Sequence, residues 1–315
     1  MIRIEGKNGI SATILADSLN PIAQKRITSF ELEYPRYIHA EVLTHRLFTR
    51  NAASSRAIPV KKKFKQIWSD PVIPIKFGLN KSGMQSSEEM TGIRAKATKF
   101  VWKFAAKVAC IFAWTLMKLN LHKQWAGRLL EPFERYKIVL TSTEYANWDW
   151  LRDHEDAQPE IRELARVMLE ARKQSNPIKL NPGEWHLPYI HTQRSLTGEI
   201  EYLVDGNKVD LETAKKVSAA ACAQVSYRIL NLSLEKARDI FKKLIESKPC
   251  HASPTEHQAT PMWGRDGLAY AVSSRNYEKG ITHIRIGMLE GCNLWSGNLC
   301  GWIQYRQLIT DNVKW

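Results

Sequence analysis

The stretch RITSFELEYPRYIHAEVLTHR, residues 26–46, combines two periodicities around one proline. Before the proline, Phe30, Leu32 and Tyr34 recur at every second position with glutamates between them. This two-residue period predicts a β-strand with one apolar face over 26–35. Because proline cannot donate to a sheet ladder, we expect the strand to end at Pro35.

The residues after the proline predict a helix over 36–50, with Ile38, Val42 and His45 near one face. The same region opens the polar stretch EVLTHRLFTRNAASSRAIP (41–59), which contains three arginines and four Ser or Thr residues. Guanidinium and hydroxyl groups in this density suit an anion with several oxygens, such as a phosphate. A solvated helix end followed by a basic loop is the alternative.

The composition limits the class of protein. The chain has 315 residues, 44% of them hydrophobic, so it can bury a core in one large domain or two ordinary ones. Lys and Arg exceed Asp and Glu by 14 (46 against 32), which favours anionic partners. The five cysteines lack C-x-x-C spacing. That pattern predicts a cytoplasmic protein without a disulfide framework.

The most apolar segment is 100–119, and we expect no membrane partner from it. Lys103 and Lys107 interrupt the segment and leave ten uncharged residues from Val108 to Met117, too few to span a bilayer. We interpret it as a buried helix. The N-terminus has no apolar region typical of a secretory signal.

The remaining elements are predicted from turn residues and helical spacing. They are a loop at 61–98, helices at 94–119, at 122–131, from Pro159 and after Ser233, and a strand, turn and helix capped by Asp210 within 199–213. The mixture indicates a helix-rich α+β fold.

Three further polar stretches are candidate sites: GRLLEPFERY (127–136), NWDWLRDHEDAQPEI (147–161) and CHASPTEHQATP (250–261). Adjacent acidic and histidine residues at 154–156 do not face one another on a helix. His251 and His257 are six residues apart, which is not the spacing of a helical zinc pair. We therefore predict no metal site.

Together these stretches resemble the flavin-dependent thymidylate synthase family, whose signature is R-H-R-x-x-S-x-N-E-x-S-x-R-Y. The matching residues of THRLFTRNAASSRA (44–57) are His45, Arg46, the hydroxyl residue Thr49, Asn51, Ser54 and Arg56. The departures are Thr44, Ala52 and Ala57, where the family has Arg, Glu and Tyr. GRLLEP is similar to the family's A-R-x-x-L-P helix. NWDWLRDHEDAQPEI is similar to its N-F-L-x-L-R-x-x-x-x-A-Q-x-E-I segment.

The order of the segments predicts a circular permutation. The family's A-x-x-V-S-F segment and T-P-F-E-H motif precede the strand, whereas their counterparts here, AAACAQVSYR (219–228) and SPTEH (253–257), lie near the C-terminus. Cyclic order is kept if the cut falls just before residue 26. Permutation is tolerated where chain ends lie together at the surface.

The resemblance therefore implies one permuted catalytic domain over 1–315, in which an antiparallel sheet packs with long helices. Its expected parts are 26–60 and 120–170 for the signature and nucleotide, 61–119 as a helical insert, 210–260 as the permuted flavin-binding part, and 262–315 as an extension.

The resemblance also implies an activity: C5 methylation of a pyrimidine deoxynucleotide, with dUMP as the first candidate. Methylenetetrahydrofolate would supply the carbon, and FAD reduced by NADPH would supply the hydride. The implied substrate-binding residues are Glu41, Ser54, Ser55, Arg56, Arg128 and Arg152. The implied flavin-binding residues are His45, Arg46, Leu47, Asn51, Asn147, Ser226 and His257. Arg152 is the catalytic candidate, because a guanidinium at a carbonyl edge stabilises charge on the ring.

Several alternatives stay open. Glu41 stands where the family has Gln, and a carboxylate accepts from the amino group of cytosine, so dCMP or a hydroxymethylated product is an alternative. The family's members are homotetramers with shared sites, which implies a homo-oligomer. The competing class is a basic protein that binds single-stranded nucleic acid without catalysis. A flavoprotein scaffold that has lost catalysis is a third possibility.

Overall fold

The predicted strand at 26–35 is the centre of the largest sheet. A computed structural model describes residues 2–54, 58–82, 88–226, 230–262, 280, 282–287, 291–310 and 312, with the backbone alone at Ser226, 283–287 and 291–293. The α-helices are α1 (His39–Leu43), α2 (Val60–Ser69), α3 (Gly92–Lys118), α4 (Lys123–Ala126), α5 (Ala146–Arg152), α6 (Pro159–Gln174), α7 (Leu211–Ala223) and α8 (Leu234–Leu244).

The strands follow the same order. They are β1 (Arg3–Glu5), β2 (Ser11–Asn20), β3 (Lys25–Pro35), β4 (Thr49–Ala52), β5 (Arg135–Ser142), β6 (Ile178–Lys179), β7 (His191–Arg194), β8 (Ile200–Val204), β9 (Asn207–Val209), β10 (Ala259–Pro261), β11 (His283–Gly287), β12 (Gly291–Ser296), β13 (Leu299–Cys300) and β14 (Trp302–Gln304).

The main sheet has the order β1-β2-β3-β5-β4, with β6 added in parallel to β2. All other pairings in it are antiparallel, and Leu32 lies opposite Ile138 where β3 meets β5. The described chain is thus α+β and rich in helices, as predicted. The circular permutation stays a prediction.

One face of the sheet is covered by α6. Phe30, Leu32 and Tyr34 are fully buried there with Leu164 and Met168 of the helix. Burial of side chains of this size contributes roughly 1.5–3 kcal/mol each. The two-residue period therefore identified the core face of β3 correctly.

The other face is covered by segments from the second half of the chain. Val139 of β5 packs with Cys222 and Val225, which lie in α7 and in the 3₁₀ turn Gln224–Ser226. A second 3₁₀ turn, Ser253–Glu256, contacts β4 and α7. Two C-terminal segments thus pack against the β4–β5 edge of the sheet.

The helix predicted at 36–50 was wrong in its second half. A 3₁₀ turn at Arg36–Ile38 leads into α1, which ends at Leu43, and Thr49–Ala52 form an edge strand. Pairing with β5 competes successfully with helix formation here, since β4 gains a backbone ladder along 138–141.

The loop predicted at 61–98 was wrong at its start, whereas the helix predicted at 94–119 is confirmed as α3. Residues 60–69 form α2, and 92–98 begin α3. Lys63 is buried within α2 and pairs with Glu134 at 2.8 Å, and Arg36 donates to the same carboxylate at 2.8 Å. The lysine run therefore contains one interior residue, held by an ion pair that composition alone does not reveal.

The interpretation of 100–119 as a buried helix was also wrong. The helix forms, but only Ala106, Cys110 and Ala113 of α3 are buried, whereas Phe100 is 70% exposed. The helix predicted at 122–131 is only partly α-helical, because α4 ends at Ala126 and a 3₁₀ segment containing Pro132 follows.

The remaining predicted elements are confirmed. A helix begins at Pro159, and Ser233 and Asp210 cap the starts of α8 and α7. The strand and turn within 199–209 form as predicted, with Asp205 and Gly206 at positive φ.

Candidate active site

The loop from Thr44 to Phe48 joins α1 to β4 and is fastened by Arg50. The Arg50 guanidinium donates to the carbonyls of Phe48 at 2.7 Å, His45 at 3.3 Å and Leu43 at 3.4 Å. Carbonyls at a helix end have no intrahelical partner, and charged donors satisfy them well. Arg50 therefore fixes the course of the loop that carries His45.

His45 meets Arg152 from the end of α5. Arg152 Nε donates to His45 Nε2 at 3.0 Å, and Arg152 Nη2 donates to Thr44 Oγ1 at 3.3 Å. Because a guanidinium can only donate, His45 Nε2 is the acceptor and Nδ1 carries the ring proton. Partial burial lowers the pKa of His45, and the charges of Arg152 and Arg50 lower it further. The imidazole is therefore neutral at pH 7.

Aromatic side chains pack against the His45 ring on the side of the protein interior. The His45 ring stacks on Phe48, with centroids 5.7 Å apart, and meets the edge of Trp148 at 4.7 Å. Phe48, Trp148 and Tyr145 are nearly completely buried. The ring of His45 is thus held between a packed aromatic floor and a guanidinium.

A cavity of about 220 Å³ opens above this floor. It is lined by Thr44, His45, Arg46, Leu47, Phe48, Glu144, Asn147, Trp148, Leu151 and Arg152. Five of the residues implied by the resemblance meet here from two separate stretches: His45, Arg46 and Leu47 from the loop, and Asn147 and Arg152 from α5. The volume of this cavity is below the roughly 300–1,000 Å³ usual for small-molecule sites.

Glu41 lies one helical turn before the loop. Burial raises the pKa of this carboxyl, the nearby charge of Arg152 opposes the rise, and Glu160 adds to it. When the Gln158 amide is oriented with its nitrogen toward Glu41, this nitrogen lies 2.7 Å from Glu41 Oε2 and donates to it. Glu41 therefore belongs to the surroundings of Arg152, although it does not line the cavity.

Three other implied residues lie elsewhere on the chain. Arg128 is exposed and pairs with Glu131 at 3.5 Å. Asn51 is half-buried in β4 opposite Val139, and Ser54 follows that strand. None of the three lines the cavity at His45, and their roles stay predictions.

His257 is completely buried next to β5. Its Nδ1 lies 2.9 Å from Thr141 Oγ1, in a hydrogen-bonded chain of interior side chains. The chain runs Ser18, His186, Ser29, Thr141, His257, with successive contacts of 2.9, 2.8, 2.6 and 2.9 Å. Within the part of the chain that the structure describes, His257 Nε2 has no hydrogen-bond partner.

Ser55 and Arg56 lie outside the described residues, as does the side chain of Ser226. The segments next to them converge on a second cavity of about 360 Å³, lined by Ala53 and Ile58 on one side and Val225 on the other. Arg135 and Lys137 add positive charge to its lining, and Glu33 and Glu134 add as many negative charges. The implied phosphate-binding segment and the implied flavin segment thus approach each other at this edge of the sheet.

Sequence reasoning missed several residues of the site. Thr44 was noted only as a departure from the signature, yet it accepts from Arg152, and Glu144 and Leu151 also line the cavity. Trp148, within the matched stretch 147–161, is both part of the core and the floor of the cavity. Gln158 lies in the stretch already matched to the family, and that match was the one sequence signal for its place beside Glu41. Across the residues that the structure describes, no three His, Cys, Asp or Glu side chains are grouped to bind a metal.

No family model and no curated relative matches the chain. Two crystal structures of a UMP/dUMP methylase PolB from Streptomyces cacaoi are similar to part of it, each at 15% identity. The structure bound with 5-Br UMP has a TM-score of 0.43 and covers 55% of this chain and 92% of that one. The structure bound with 5-Br dUMP has a TM-score of 0.44 and covers 54% and 93%.

Proposed function

We propose that this protein is an enzyme that transfers a one-carbon unit to C5 of a pyrimidine nucleotide. The proposed substrate is dUMP, with methylenetetrahydrofolate as carbon donor and flavin as hydride source. The observation that carries the proposal is the contact between Arg152 and His45. Two stretches about a hundred residues apart, matched separately to one family, meet through this 3.0 Å hydrogen bond at one cavity.

Arg152 is the residue with the clearest chemical role. Its contacts to His45 and Thr44 use two of five N–H donors and hold the fork in place. The remaining donors suit a pyrimidine carbonyl. Negative charge must build on the ring before C5 can attack a carbon donor, and a fixed guanidinium stabilises that charge without reorganisation.

The residues at the rim fit one edge of a flavin. His45 is neutral with a donor at Nδ1, and the exposed Arg46 and Asn147 offer further polar groups beside it. When bound, the reduced flavin would supply the hydride. The chain's own contribution is to bind and orient the ring system, and Leu47 and Trp148 would exclude water from one side.

A second chain would complete the site. A cavity of about 220 Å³ holds part of a nucleotide and leaves no room for a flavin beside it. We therefore propose a homo-oligomer in which a partner subunit covers the rim. Ser54, Ser55, Arg56 and Arg128 remain the proposed phosphate clamp, from the same or the partner subunit.

We also propose that the chain is circularly permuted. The C-terminal residues return to the point just before β3, where the cut is placed. Asn20 Nδ2 donates to the Gly301 carbonyl at 2.7 Å, and Trp302 Nε1 donates to the Lys25 carbonyl at 3.1 Å. Such proximity is what a permuted order requires.

The second candidate substrate is dCMP. The carboxyl of Glu41 lies close enough to Arg152 for their charges to interact, and burial raises its pKa. When ionised, Glu41 would accept from the cytosine amino group, whereas the Gln expected from the family would serve a uracil carbonyl. The variant Glu41→Gln should then shift turnover from dCMP toward dUMP.

The test begins with the visible absorption of the purified protein before and after addition of FAD and desalting. A retained flavin band, followed by turnover of dUMP, UMP or dCMP with methylenetetrahydrofolate and NADPH, is the expected result. If no flavin is retained even with nucleotide present, and oligonucleotides bind with a steep salt dependence, the nucleic-acid-binding alternative replaces this proposal. A retained flavin without turnover of any nucleotide would indicate a scaffold that has lost catalysis.

A further inference from the structure

The exposed apolar side chains of this protein are concentrated in one region. Of the 21 large hydrophobic side chains that are exposed in the described residues, 12 lie between Trp68 and Leu129. Most belong to α3 or its immediate neighbours. Scattered exposed apolar residues are normal, but a contiguous group of this size indicates an interaction surface.

On α3 these residues form continuous rows. The spacing of seven, four and seven residues keeps side chains in line along a helix of 3.6 residues per turn. One row is Ile93, Phe100, Phe104 and Ile111, and the adjacent row is Val101, the half-buried Val108, Phe112 and Leu119, which directly follows the end of α3. A row of lysines, Lys96, Lys103, Lys107 and Lys118, runs along the other side of the first apolar row.

The opposite face of α3 is fixed within the protein. Ala106, Cys110 and Ala113 pack with Ile67 of α2 and Leu130 of the following 3₁₀ segment. Although the uncharged stretch 108–117 is too short to span a bilayer, α3 as a whole is long and apolar enough to cross a membrane, which corrects the expectation from the sequence. Because its small residues hold one face against protein, the helix is placed to lie along a surface rather than to span it.

The charge around the apolar rows has one sign. α2 contains four lysines, α3 contains six lysines or arginines, and neither helix contains an Asp or Glu. Two exposed tryptophans sit beside lysines, with Lys107 Nζ 5.4 Å from the Trp68 ring and Lys118 Nζ 5.0 Å from the Trp114 ring. Tryptophan and lysine at the border of an apolar strip are typical of helices at a lipid headgroup layer.

We propose that α2 and α3 form a docking surface for an anionic lipid bilayer, with α3 lying in the plane of the headgroups. The two apolar rows would enter the boundary of the acyl chains. The lysine row and the exposed lysines of α2 would contact phosphate and carboxylate headgroups, which attract each nearby cation. This surface is separate from the cavity at His45, so the proposal stands independently of the proposed reaction.

The charge of α2 and α3 favours a lipid bilayer over a second copy of the chain as the occupant of this surface. A symmetric contact through α2 and α3 would bring like charges together, since these helices have no acidic residue to offset them. Nucleic acid would satisfy the lysines. It would leave Ile93, Val101 and Ile111 without an apolar partner, because stacking on bases needs aromatic faces.

The test is flotation of the full-length protein with lipid vesicles. We expect binding to vesicles of phosphatidylcholine with phosphatidylserine and little binding to phosphatidylcholine alone, with a marked loss in high salt. Combined replacement Lys96→Gln, Lys103→Gln and Lys107→Gln should weaken binding about 100-fold. Combined replacement Phe100→Ser, Phe104→Ser and Phe112→Ser should weaken it by a similar or larger factor, about 100-fold or more.

Matched controls come from exposed positions outside this surface. Lys173→Gln, Lys179→Gln and Lys242→Gln remove the same charge, and Leu196→Ser with Leu230→Ser removes exposed apolar groups. Both controls should bind vesicles like the unmodified protein. Circular dichroism of each variant establishes that it is folded, and the lysine variant still tests the proposal if the phenylalanine variant is not.

Four results would overturn the proposal. One is the absence of binding to anionic vesicles. Another is equal loss of binding in the control variants. The third is self-association that the phenylalanine replacements abolish and that vesicles do not compete away, which would make a second copy the occupant. The fourth is displacement of vesicles by a single-stranded oligonucleotide at low concentration, which would make nucleic acid the occupant of the surface.

Discussion

The cavity at His45 and the surface of α3 differ in how their side chains are held: charged groups have defined partners at the cavity, whereas apolar groups are exposed on α3. At the cavity, charged groups are held by defined partners: Arg50 binds three carbonyls and Arg152 binds His45 and Thr44. On α3, bulky apolar side chains such as Phe100 and Phe104 are mostly exposed. α3 packs against the 3₁₀ segment Gly127–Phe133, which leads into β5, and the cavity lies between the loop before β4 and α5, which follows β5.

The difference shows that apolar content does not decide which face of a helix is buried. The buried face of α3 is made of small residues, because alanine and cysteine allow close approach to α2 and to the segment around Leu130. The larger residues on the other faces are then left for a partner. At the cavity, in contrast, burial of Phe48 and Trp148 supplies a rigid floor for polar groups.

The largest expected effect concerns the cavity. Arg152→Gln should lower kcat/KM by about 10²–10³-fold, because one fixed donor to the developing charge is lost. Steady-state turnover of the nucleotide measures this. Arg152→Lys should restore only part of the rate, since an ammonium cannot reproduce the fork that holds His45 and Thr44.

The matched control is Arg162→Gln, which removes an exposed guanidinium on α6. It should leave both turnover and flavin retention unchanged. Equal losses in the two variants would mean that positive charge in general, and not the position of Arg152, supports the reaction. The contrast between the cavity at His45, where each charge has a fixed position, and the generally positive surface of α3 would then not hold.

The next effect concerns the attachment of α2. Lys63→Met should lower the free energy of unfolding by about 3 kcal/mol, because it leaves the buried Glu134 carboxylate with Arg36 alone. Urea unfolding followed by circular dichroism measures the change. Lys62→Met, on the exposed side of the same helix, should stay within about 0.5 kcal/mol of the unmodified protein. Equal effects would show that Lys63 is not an interior residue.

A further effect is the pH dependence of stability from the buried histidines behind the cavity. Burial lowers the pKa of His186 to about 3 and of His257 to about 3, and His186 adds to the shift of His257. In the unfolded chain these groups titrate near 6.5, so below that pH the unfolded state binds protons that the folded state does not. Stability therefore falls as the pH drops below about 6.5.

Between pH 7.5 and pH 5 each such histidine should cost about 2 kcal/mol. His257→Gln should remove that share, which urea unfolding at the two pH values measures. The exposed His251→Gln is the control and should leave the slope unchanged. An unaltered slope in His257→Gln would mean that His257 is charged, or reaches water, in the folded state.

The sequence predicted those features that depend on local periodicity. The core face of β3 followed from Phe30, Leu32 and Tyr34, and helix starts followed from Asp210 and Ser233, because a side-chain cap is a local interaction. Five cavity residues followed from the resemblance. The end of α1 and the strand at 49–52 did not, since both depend on pairing with β5, nearly ninety residues away.

The smallest expected effect sharpens the comparison within α3 itself. Phe104→Ser should change the free energy of unfolding by less than about 0.5 kcal/mol, because the side chain is 58% exposed and its ring stacks on Phe100, which is itself exposed. Ala113→Leu on the opposite face should cost roughly 1–3 kcal/mol, because the helix packs closely there against α2. Chemical denaturation of the two variants compares a large apolar residue removed with a small one enlarged. If Phe104→Ser were the more destabilising of the two, that face of α3 would be packed within the protein, and the region would no longer contrast with the cavity or present a surface to lipid.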